Sequence, residues 1–513
     1  MSRVNRSLGL IIVLLVPLVV LTDTGPVSAA PEGQVVWAAH TSLVPSWFDP
    51  AEMIQGTVFM VLYAMHDALV KPMPGKGFAP SLAESWTASP DGLVYEFVLR
   101  DGARFHNGEP VTSEDVKFSF DRYRGIFANP LKNKVAAVET LDTRRVRFRL
   151  KEPWPDFMTI YGTRATGAGW VVPKKYVEKV GDDGFKKAPV GAGPYRFVSF
   201  TPGVELVLEA FDQYWRKTPN VKRLVFRVIP DPATRLAALK RGEVDIAYLI
   251  SGELGEELQR TPGLTMKPTY PSTHFLVFAD QWDPKSPWHD KRVRLAANLA
   301  MARQALNQAA TFGLSRITAS IVLSSLDFYW APPIYPHDPA RARQLLAEAG
   351  YPNGFDAGDY FCDLQVTSWA EALITNLQAV GIRLRLRPLE RAAFFKSLSE
   401  KKLKNIIHVF SGDFGNAASR LEAFAVSGGT YAYGGYPDID GLFREQAAER
   451  DRTKRETILN RLQQLIHERA MFAPIWELAF LHGVGPRLEE SGLGLIAGHG
   501  FSAPYEDVKL KGK

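Results

Sequence analysis

Residues that could carry out chemistry are common in this 513-residue sequence, but the spacings that catalytic sites use are missing. The ten histidines include no His-Glu-x-x-His pair and no cluster with metal-ligand spacing, so neither a metal nor a cofactor is expected. The sequence has no Gly-x-Ser-x-Gly turn and no Gly-x-x-x-x-Gly-Lys-Ser/Thr phosphate loop. We therefore expect no enzyme, although a pair of carboxylates that meets only in the folded chain stays open.

Aromatic side chains beside glycine and proline are the positive signal for a binding site. Phe, Trp and Tyr make up 11% of the chain. Trp47 and Phe48 follow the first predicted strand, and Tyr431 and Tyr433 lie in a glycine-rich segment. Ligand pockets combine aromatic walls with a few polar groups, so we predict that these four residues line a pocket. The alternative is that they fill the core, as most aromatic residues do.

The first 29 residues have the composition of a cleaved export signal. Arg3 and Arg6 precede an uncharged, apolar run from Leu8 to Leu21, which is shorter than the roughly 20 residues needed to span a bilayer. Small residues at Val27 and Ala29 predict cleavage after Ala29. No cysteine lies near that position, so we predict an exported, periplasmic protein that is not a lipoprotein. The alternative is an N-terminal membrane anchor.

Composition and charge limit the class of protein to which this chain can belong. Charged residues make up 23% of the chain and the formal net charge is +6, without a basic block, so no nucleic-acid partner is expected. Cys362 is the one cysteine, so no intramolecular disulfide can form. The length corresponds to about three domains, enough to bury a core without disulfides.

Strand and helix patterns alternate along the chain. Residues 34–39 predict a buried strand, and residues 144–150 and 382–387 alternate apolar residues with arginines, which is typical of strands with one solvated face. Asp231-Pro232 and Asp338-Pro339 predict helix starts, and Thr112 with Asp115 resembles a capping box. The longest predicted helices are about 291–312 and 452–470. The fold class is therefore α/β or α+β with more than one sheet.

Five ordered blocks of sequence carry a resemblance to a known family. They are Leu82-Ala83-Glu84-Ser85-Trp86 with the segments that follow it to Phe120; Gly191-Ala192-Gly193-Pro194-Tyr195 followed by Asp212-Gln213-Tyr214-Trp215; residues 237–246; residues 293–298; and residues 338–342 with 350–352. Together they resemble the bacterial extracellular solute-binding proteins of family 5, which are the dipeptide-, oligopeptide- and nickel-type binding proteins of ABC importers. The resemblance covers nearly the whole chain after the export signal.

The resemblance implies a two-lobed periplasmic binding protein clamshell of type II, peptide-binding-protein-like, with an extra subdomain in the first lobe. We expect lobe I at 30–75, 190–268 and 483–513, the inserted subdomain at 76–189, and lobe II at 269–482. It further implies a monomer that captures a small solute by closing its lobes and delivers it to an ABC importer permease in the inner membrane.

The resemblance also implies where the ligand binds. In peptide-binding members an Asp in a segment like Val409–Asp413 pairs with the ligand's amino group, so Asp413 is the candidate here, with Phe410 in place of a common tryptophan. Residues 414–417 replace the usual Asp-Pro of that segment, which puts peptide specificity in question. Arg420 could take a carboxylate as a bidentate fork, or could be a surface or interlobe arginine.

Three further candidates lie where the chain should cross into the second lobe: Tyr270, Thr273 and His274, the last favoured for a hinge or packing role. The predicted ligand is a short peptide or an amine-bearing metabolite. Alternatives are an opine, a sugar or a metal chelate on the same fold, and, less favoured, a secreted hydrolase.

Overall fold

The structure is a computed structural model that describes residues 30–53, 56–162, 164–250, 252–412 and 414–512. The predicted export signal at residues 1–29 and the candidate Asp413 lie outside the described residues. Among the residues described, no helix is both long enough and apolar enough to cross a bilayer.

Strands and helices alternate along the chain, as predicted. The strands are β1 (Glu32–Ala39), β2 (Asp67–Ala68), β3 (Val70–Met73), β4 (Lys76–Pro80), β5 (Ala83–Ala88), β6 (Val94–Leu99), β7 (Val135–Thr140), β8 (Arg145–Leu150), β9 (Trp170–Val171), β10 (Tyr195–Thr201), β11 (Glu205–Ala210), β12 (Val221–Val228), β13 (Ile246–Ala247), β14 (Thr265–Phe278), β15 (Arg316–Ile317), β16 (Phe355–Asp363), β17 (Ile382–Leu389), β18 (Ile406–Gly412), β19 (Phe472–Val484), β20 (Leu488–Glu490) and β21 (Lys509–Leu510). The helices are α1 (Phe59–Met65), α2 (Ser113–Arg122), α3 (Ala128–Lys134), α4 (Phe157–Tyr161), α5 (Lys174–Lys187), α6 (Pro232–Lys240), α7 (Glu253–Arg260), α8 (Lys291–Ala300), α9 (Arg303–Thr311), α10 (Pro339–Glu348), α11 (Thr367–Gln378), α12 (Arg391–Ser399), α13 (Ala417–Ala425), α14 (Pro437–Ala448) and α15 (Arg452–Glu468).

One mixed sheet runs through both lobes. Its strand order is β10-β11-β12-β1-β13-β19-β14-β18-β16-β17, and β15 pairs with β19. In the first lobe, this sheet contains the parallel pairs β1–β12 and β1–β13. In the second lobe, it contains the parallel pairs β16–β17 and β16–β18. The two halves are joined by the long antiparallel pair β14–β19. A separate sheet, β5-β6-β8-β7, belongs to the subdomain.

Separate hydrophobic cores support the lobes. Trp37, Phe226 and Tyr505 pack together in the first lobe, while Phe97 and Phe148 pack in the core of the subdomain. The second lobe has one core on each face of its sheet. The predicted lobe boundaries at 268/269 and 482/483 fall inside β14 and β19, the strands that join the lobes; the exact boundaries stay a prediction.

Most local predictions are confirmed. The two alternating segments form β8 and β17, and their arginines pair with carboxylates on neighbouring strands, for example Arg149 with Glu139 at 2.6 Å. Asp231 and Asp338 accept hydrogen bonds from the first turns of α6 and α10. The capping box at the start of α2 is present.

The single helix predicted at 291–312 is wrong, because the chain forms two helices, α8 and α9, separated at Met301 and Ala302. The amide of Ala302 donates to the Asn376 side chain at 2.7 Å instead of to a carbonyl one turn earlier. The carbonyl of Asn298 accepts instead from the buried Arg303 guanidinium at 2.8 Å. These side-chain partners interrupt the helical hydrogen-bond ladder.

Candidate functional site

A cavity of about 220 Å³ lies between the two lobes. A single water needs only about 10–15 Å³ on the same measure, so the space suits a small organic solute. The first lobe contributes residues 494 and 496–499, and the second lobe contributes Arg316, Ser324, Ser325 and Glu477. Tyr270, on the joining strand β14, lies between these two walls. A molecule in this cavity would touch both lobes and the strand that joins them.

Glu477 is the buried charge of the cavity. It is 2% exposed and lies in β19, where its neighbours are apolar. Its carboxylate accepts hydrogen bonds from the amide and, at 2.9 Å, from the hydroxyl of Ser324. A carboxylate can accept about four hydrogen bonds, so Glu477 keeps capacity for a donor from a solute.

Arg316 is the cation of the cavity. Its guanidinium lies 3.7 Å from the centre of the Tyr270 ring and 3.8 Å from Glu477 Oε2. The Tyr270 hydroxyl in turn donates to the Leu314 carbonyl at 3.1 Å, which fixes the ring. An ion pair of 3.8 Å is longer than a hydrogen bond, so the five N–H donors of this guanidinium are largely available to a bound anion.

His499 provides a neutral polar group at the first-lobe wall. The residue is buried, and within the described part of the chain its Nε2 has no hydrogen-bond partner. Burial, together with the positive charge of Arg164, holds the imidazole pKa well below its usual range. The ring is therefore uncharged at neutral pH, and the residue that carries it lines the cavity.

Phe410 and His274 lie together, but on the other face of the sheet. Their rings stack at 5.3 Å, and the Arg391 guanidinium lies 4.9 Å from the Phe410 ring centre. His274 pairs across the sheet with Trp476, whereas Thr273 pairs with Glu477. Side chains alternate between faces along a strand, so the Phe410–His274 pair and the cavity are on opposite faces.

A buried chain of polar groups holds His274. The Tyr360 hydroxyl and His408 Nδ1 are 3.1 Å apart, and His408 Nε2 and His274 Nδ1 are 3.4 Å apart. Burial lowers the pKa of His408 to about 3, and burial with the nearby His408 and Arg391 holds the pKa of His274 well below its usual range. These contacts suit the packing role favoured for His274, and its ligand-binding role stays a prediction.

Trp47, Phe48 and Thr273 are enclosed in the protein interior. Phe48 is fully buried, and its ring packs 4.9 Å from the Phe200 ring centre; Trp47 is 6% exposed in the same first-lobe core. Thr273 is fully buried, and its hydroxyl has no hydrogen-bond partner among the described residues. Ligand contact by these three residues stays a prediction.

The other predicted residues lie in the second lobe. Arg420 Nη2 donates to the carbonyls of Gly412 at 2.7 Å and Phe414 at 3.2 Å, so it supports the chain on both sides of position 413. The Tyr431 ring lies 5.1 Å from that of Phe424. The Tyr433 ring lies 5.6 Å from Lys401 Nζ, and burial raises the pKa of Tyr433 to about 12.

Sequence reasoning missed Arg316, Glu477 and His499. Glu477 had a detectable signal, because it is the one charge in the otherwise apolar run of residues 471–481. Arg316 had none, since nothing near it in sequence marks it as the partner of a residue more than 150 positions away. Within the residues described, no group of three or more His, Cys, Asp or Glu side chains is placed to hold a metal ion.

Comparison with known proteins gives consistent results. The family model "Bacterial extracellular solute-binding proteins, family 5 Middle" matches residues 77–432. The chain is 26% identical over 506 residues to heme-binding protein A of Haemophilus influenzae, covering 90% of this chain and 91% of that protein. It is 30% identical over 384 residues to the glutathione-binding protein GsiB of Salmonella typhi, covering 72% of each.

Solved structures show the same fold. The ABC transporter substrate-binding protein CtaP of Listeria monocytogenes superposes with a TM-score of 0.80 at 22% sequence identity, covering 94% of this chain and 99% of that one. This likeness confirms the predicted α/β, two-lobed binding-protein fold.

Proposed function

We propose, from the premise that this chain belongs to the bacterial extracellular solute-binding proteins of family 5, that its interlobe cavity captures a small solute for an ABC importer. The observation that carries the proposal is the composition of the cavity wall, which comes from both lobes and from the strand between them. A ligand held in this way favours the closed arrangement, because only there does it contact both walls. The protein binds and releases the solute without changing it.

The charges of the cavity favour a solute that carries both an anionic group and a hydrogen-bond donor. Arg316 suits a carboxylate, and buried Glu477 suits a hydrogen-bond donor such as an amide N–H. A short peptide has both groups, and so does a metabolite that carries an amine and a carboxylate. The relatives are named for heme and for glutathione, and glutathione is itself a small peptide-like acid. Identification of the bound solute by mass spectrometry distinguishes this ligand class from an opine, a sugar or a metal chelate.

Asp413 is our proposed partner for the solute's amino group. The substitution Asp413→Asn keeps the shape and removes the charge, so it should weaken binding of an amine-bearing solute by about 2–5 kcal/mol in a desolvated cleft. Isothermal titration calorimetry with the released solute measures the change. Asp212→Asn, at an exposed loop carboxylate, is the matched control. An unchanged affinity in Asp413→Asn removes this residue from the site.

We further propose that the protein reaches the periplasm through its export signal, is cleaved after Ala29, and acts there as a monomer that docks on an inner-membrane permease. N-terminal sequencing and light scattering of the secreted protein test the first three points. A retained N-terminus or a stable dimer would contradict them.

Native mass spectrometry of protein purified gently from a periplasmic extract tests the function itself. The expected result is a discrete mass excess that is released, unchanged, on unfolding. A peptide-like or amine-bearing compound supports the ligand class, and a sugar or chelate keeps the receptor but rejects that class. Conversion of the compound into a product would contradict the receptor function.

A further inference from the structure

The subdomain and the second lobe share a polar contact centred on the Asp156 carboxylate. Asp156 lies directly before α4 of the subdomain, and Arg455 lies on α15 of the second lobe. Arg455 Nη2 donates to both Asp156 oxygens, at 2.8 and 2.7 Å. Asn416, the N-cap residue of α13, donates from Nδ2 to Asp156 Oδ1 at 2.6 Å. One carboxylate thus accepts from two separate helices of the opposite lobe.

The two donors are held in place by their own lobe. Arg455 is 5% exposed at its side chain, and its Nε donates to the Gln446 side chain at 3.0 Å. Asn416 is fully buried, and its side-chain oxygen accepts from the Ser419 amide at 3.0 Å, which caps α13. Both donors are therefore held in position by contacts within the second lobe, so little side-chain entropy is lost when they form hydrogen bonds with Asp156.

The partners belong to different hydrophobic cores. Phe157 and Ile160, next to Asp156, pack in the subdomain core, whereas Leu459 and Leu462, on the helix of Arg455, pack in the second-lobe core. The contact therefore exists only while the lobes are together. When the lobes separate, water replaces the contacts among Asp156, Arg455 and Asn416, and the charge-assisted hydrogen bonds between the lobes are lost.

We propose that Asp156, Arg455 and Asn416 form a latch that stabilises the closed arrangement of the lobes. The latch would exist in the free protein as well, so this part is independent of the proposed function. Its consequence for binding rests on that function: solute affinity rises with the fraction of molecules that are closed, so the latch residues change the affinity through that fraction. Allosteric couplings of this kind change affinity about 5- to 150-fold.

The test measures the distance between the lobes without any ligand. Spin labels at Ala136→Cys, on β7 of the subdomain, and Ala447→Cys, on α14 of the second lobe, occupy exposed positions, and the native Cys362 is buried. Pulsed electron double resonance then gives the distance distribution of the ligand-free chain. The substitutions are Asp156→Asn and, separately, Arg455→Gln. Both should move the distribution toward longer distances.

Glu152→Gln is the matched control. Glu152 is a carboxylate four residues before Asp156, but it pairs with Lys134 inside the subdomain at 2.5 Å. The control should keep the wild-type distribution. Circular dichroism of each variant establishes that the lobes remain folded, so that a shift reports opening and not unfolding.

Each possible distance distribution either supports or overturns the latch. A shift in both latch variants and none in Glu152→Gln supports the latch. An unchanged distribution in either latch variant, or an equal shift in the control, overturns it. A wild-type protein that is already fully open without ligand also overturns it. Because no solute is added, a failed search for the solute leaves this result intact, and a failed latch leaves the receptor function intact.

Discussion

At the scale of single residues, the buried histidines form one set of acid-sensitive groups. Burial lowers the pKa of His66 to about 4 and those of His408 and His482 to about 3. Each imidazole is neutral in the folded protein but takes up a proton near pH 6.5 when unfolded. The unfolded chain therefore binds more protons between pH 3 and 6.5, so these histidines lower the free energy of unfolding as the pH falls through that range.

The substitution His408→Gln tests this at one position. Between pH 7 and pH 5, a histidine that stays neutral in the fold lowers the free energy of unfolding by about 2 kcal/mol, because only the unfolded chain takes up the proton. The glutamine variant has no such group, so its free energy of unfolding should fall by about 2 kcal/mol less than that of wild type over this range. Urea unfolding at a series of pH values measures the difference. The exposed His337→Gln is the control and should follow wild type. Equal acid loss in His408→Gln would show that His408 is not neutral in the fold.

A second residue-scale prediction concerns the cavity. The substitution Arg316→Gln removes the cation but leaves the Tyr270 ring and Glu477 in place. If the solute places an anionic group there, the variant should bind it roughly 10-fold or more weakly, as expected for loss of a charge-assisted hydrogen bond. The fraction of solute-loaded protein in native mass spectra gives the comparison. Arg227→Gln, on a first-lobe strand, is the control. Equal solute loading of wild type and Arg316→Gln would rule out Arg316 as the partner of the anionic group.

At the scale of elements, side chains at helix ends tie neighbouring segments together. Asp115, inside the first turn of α2, accepts from the Thr112 amide at 2.9 Å and from the Thr112 hydroxyl at 2.7 Å. It also accepts from the Lys174 amide at 2.8 Å, at the start of α5. One 7%-exposed carboxylate therefore satisfies donors of two helices. Burial raises its pKa, so part of the benefit is offset by desolvation.

The substitution Asp115→Ala should destabilise the subdomain by about 1–3 kcal/mol, because it leaves buried amide donors without an acceptor. The denaturation midpoint measured by circular dichroism checks this. Glu114→Ala, at the exposed neighbouring carboxylate, should cost clearly less. Similar midpoints for the two variants would mean that Asp115 contributes no more than a surface charge.

At the scale of the whole molecule, the continuous sheet sets how the lobes can move. β14 and β19 pair from Thr265–Val484 at the first-lobe end to Val277–Phe472 in the second lobe, with register shifts between Thr269 and Ser272 and between His274 and Phe275. The cavity residue Tyr270 lies within the first of these irregularities. β-Bulges and related irregularities bend strands and increase their twist, so the joining strands are already bent where the cavity lies.

Binding should stabilise the entire chain, since only the folded protein holds the solute. At a free concentration of 100 times Kd the free energy of unfolding should rise by about 2.7 kcal/mol. Thermal unfolding of the solute-stripped protein, before and after the released compound is added back, measures the gain. A structurally unrelated compound from the same extract serves as the control. An unchanged melting temperature at saturating solute would contradict binding to the native state.

The sequence by itself determined what short-range pattern encodes. Alternating residues at 144–150 and 382–387 and capping residues at Asp231, Asp338 and Thr112 were sufficient for β8, β17 and three helix starts. Five ordered blocks identified the family, and with it the two-lobed fold. The strands and helix starts depend on neighbours within a few positions along the chain, and the family depends on the order of the blocks; the sequence displays both directly.

Only the tertiary structure decided which distant residues meet. Arg316 faces Glu477 because β15 pairs with β19, and the Asn376 side chain ends the helical ladder between α8 and α9. The strand register places Thr273 with Glu477 and His274 with Trp476, and so sends adjacent predicted residues to opposite faces. These contacts depend on strand register and on the packing of separate cores, and no local periodicity encodes either of them.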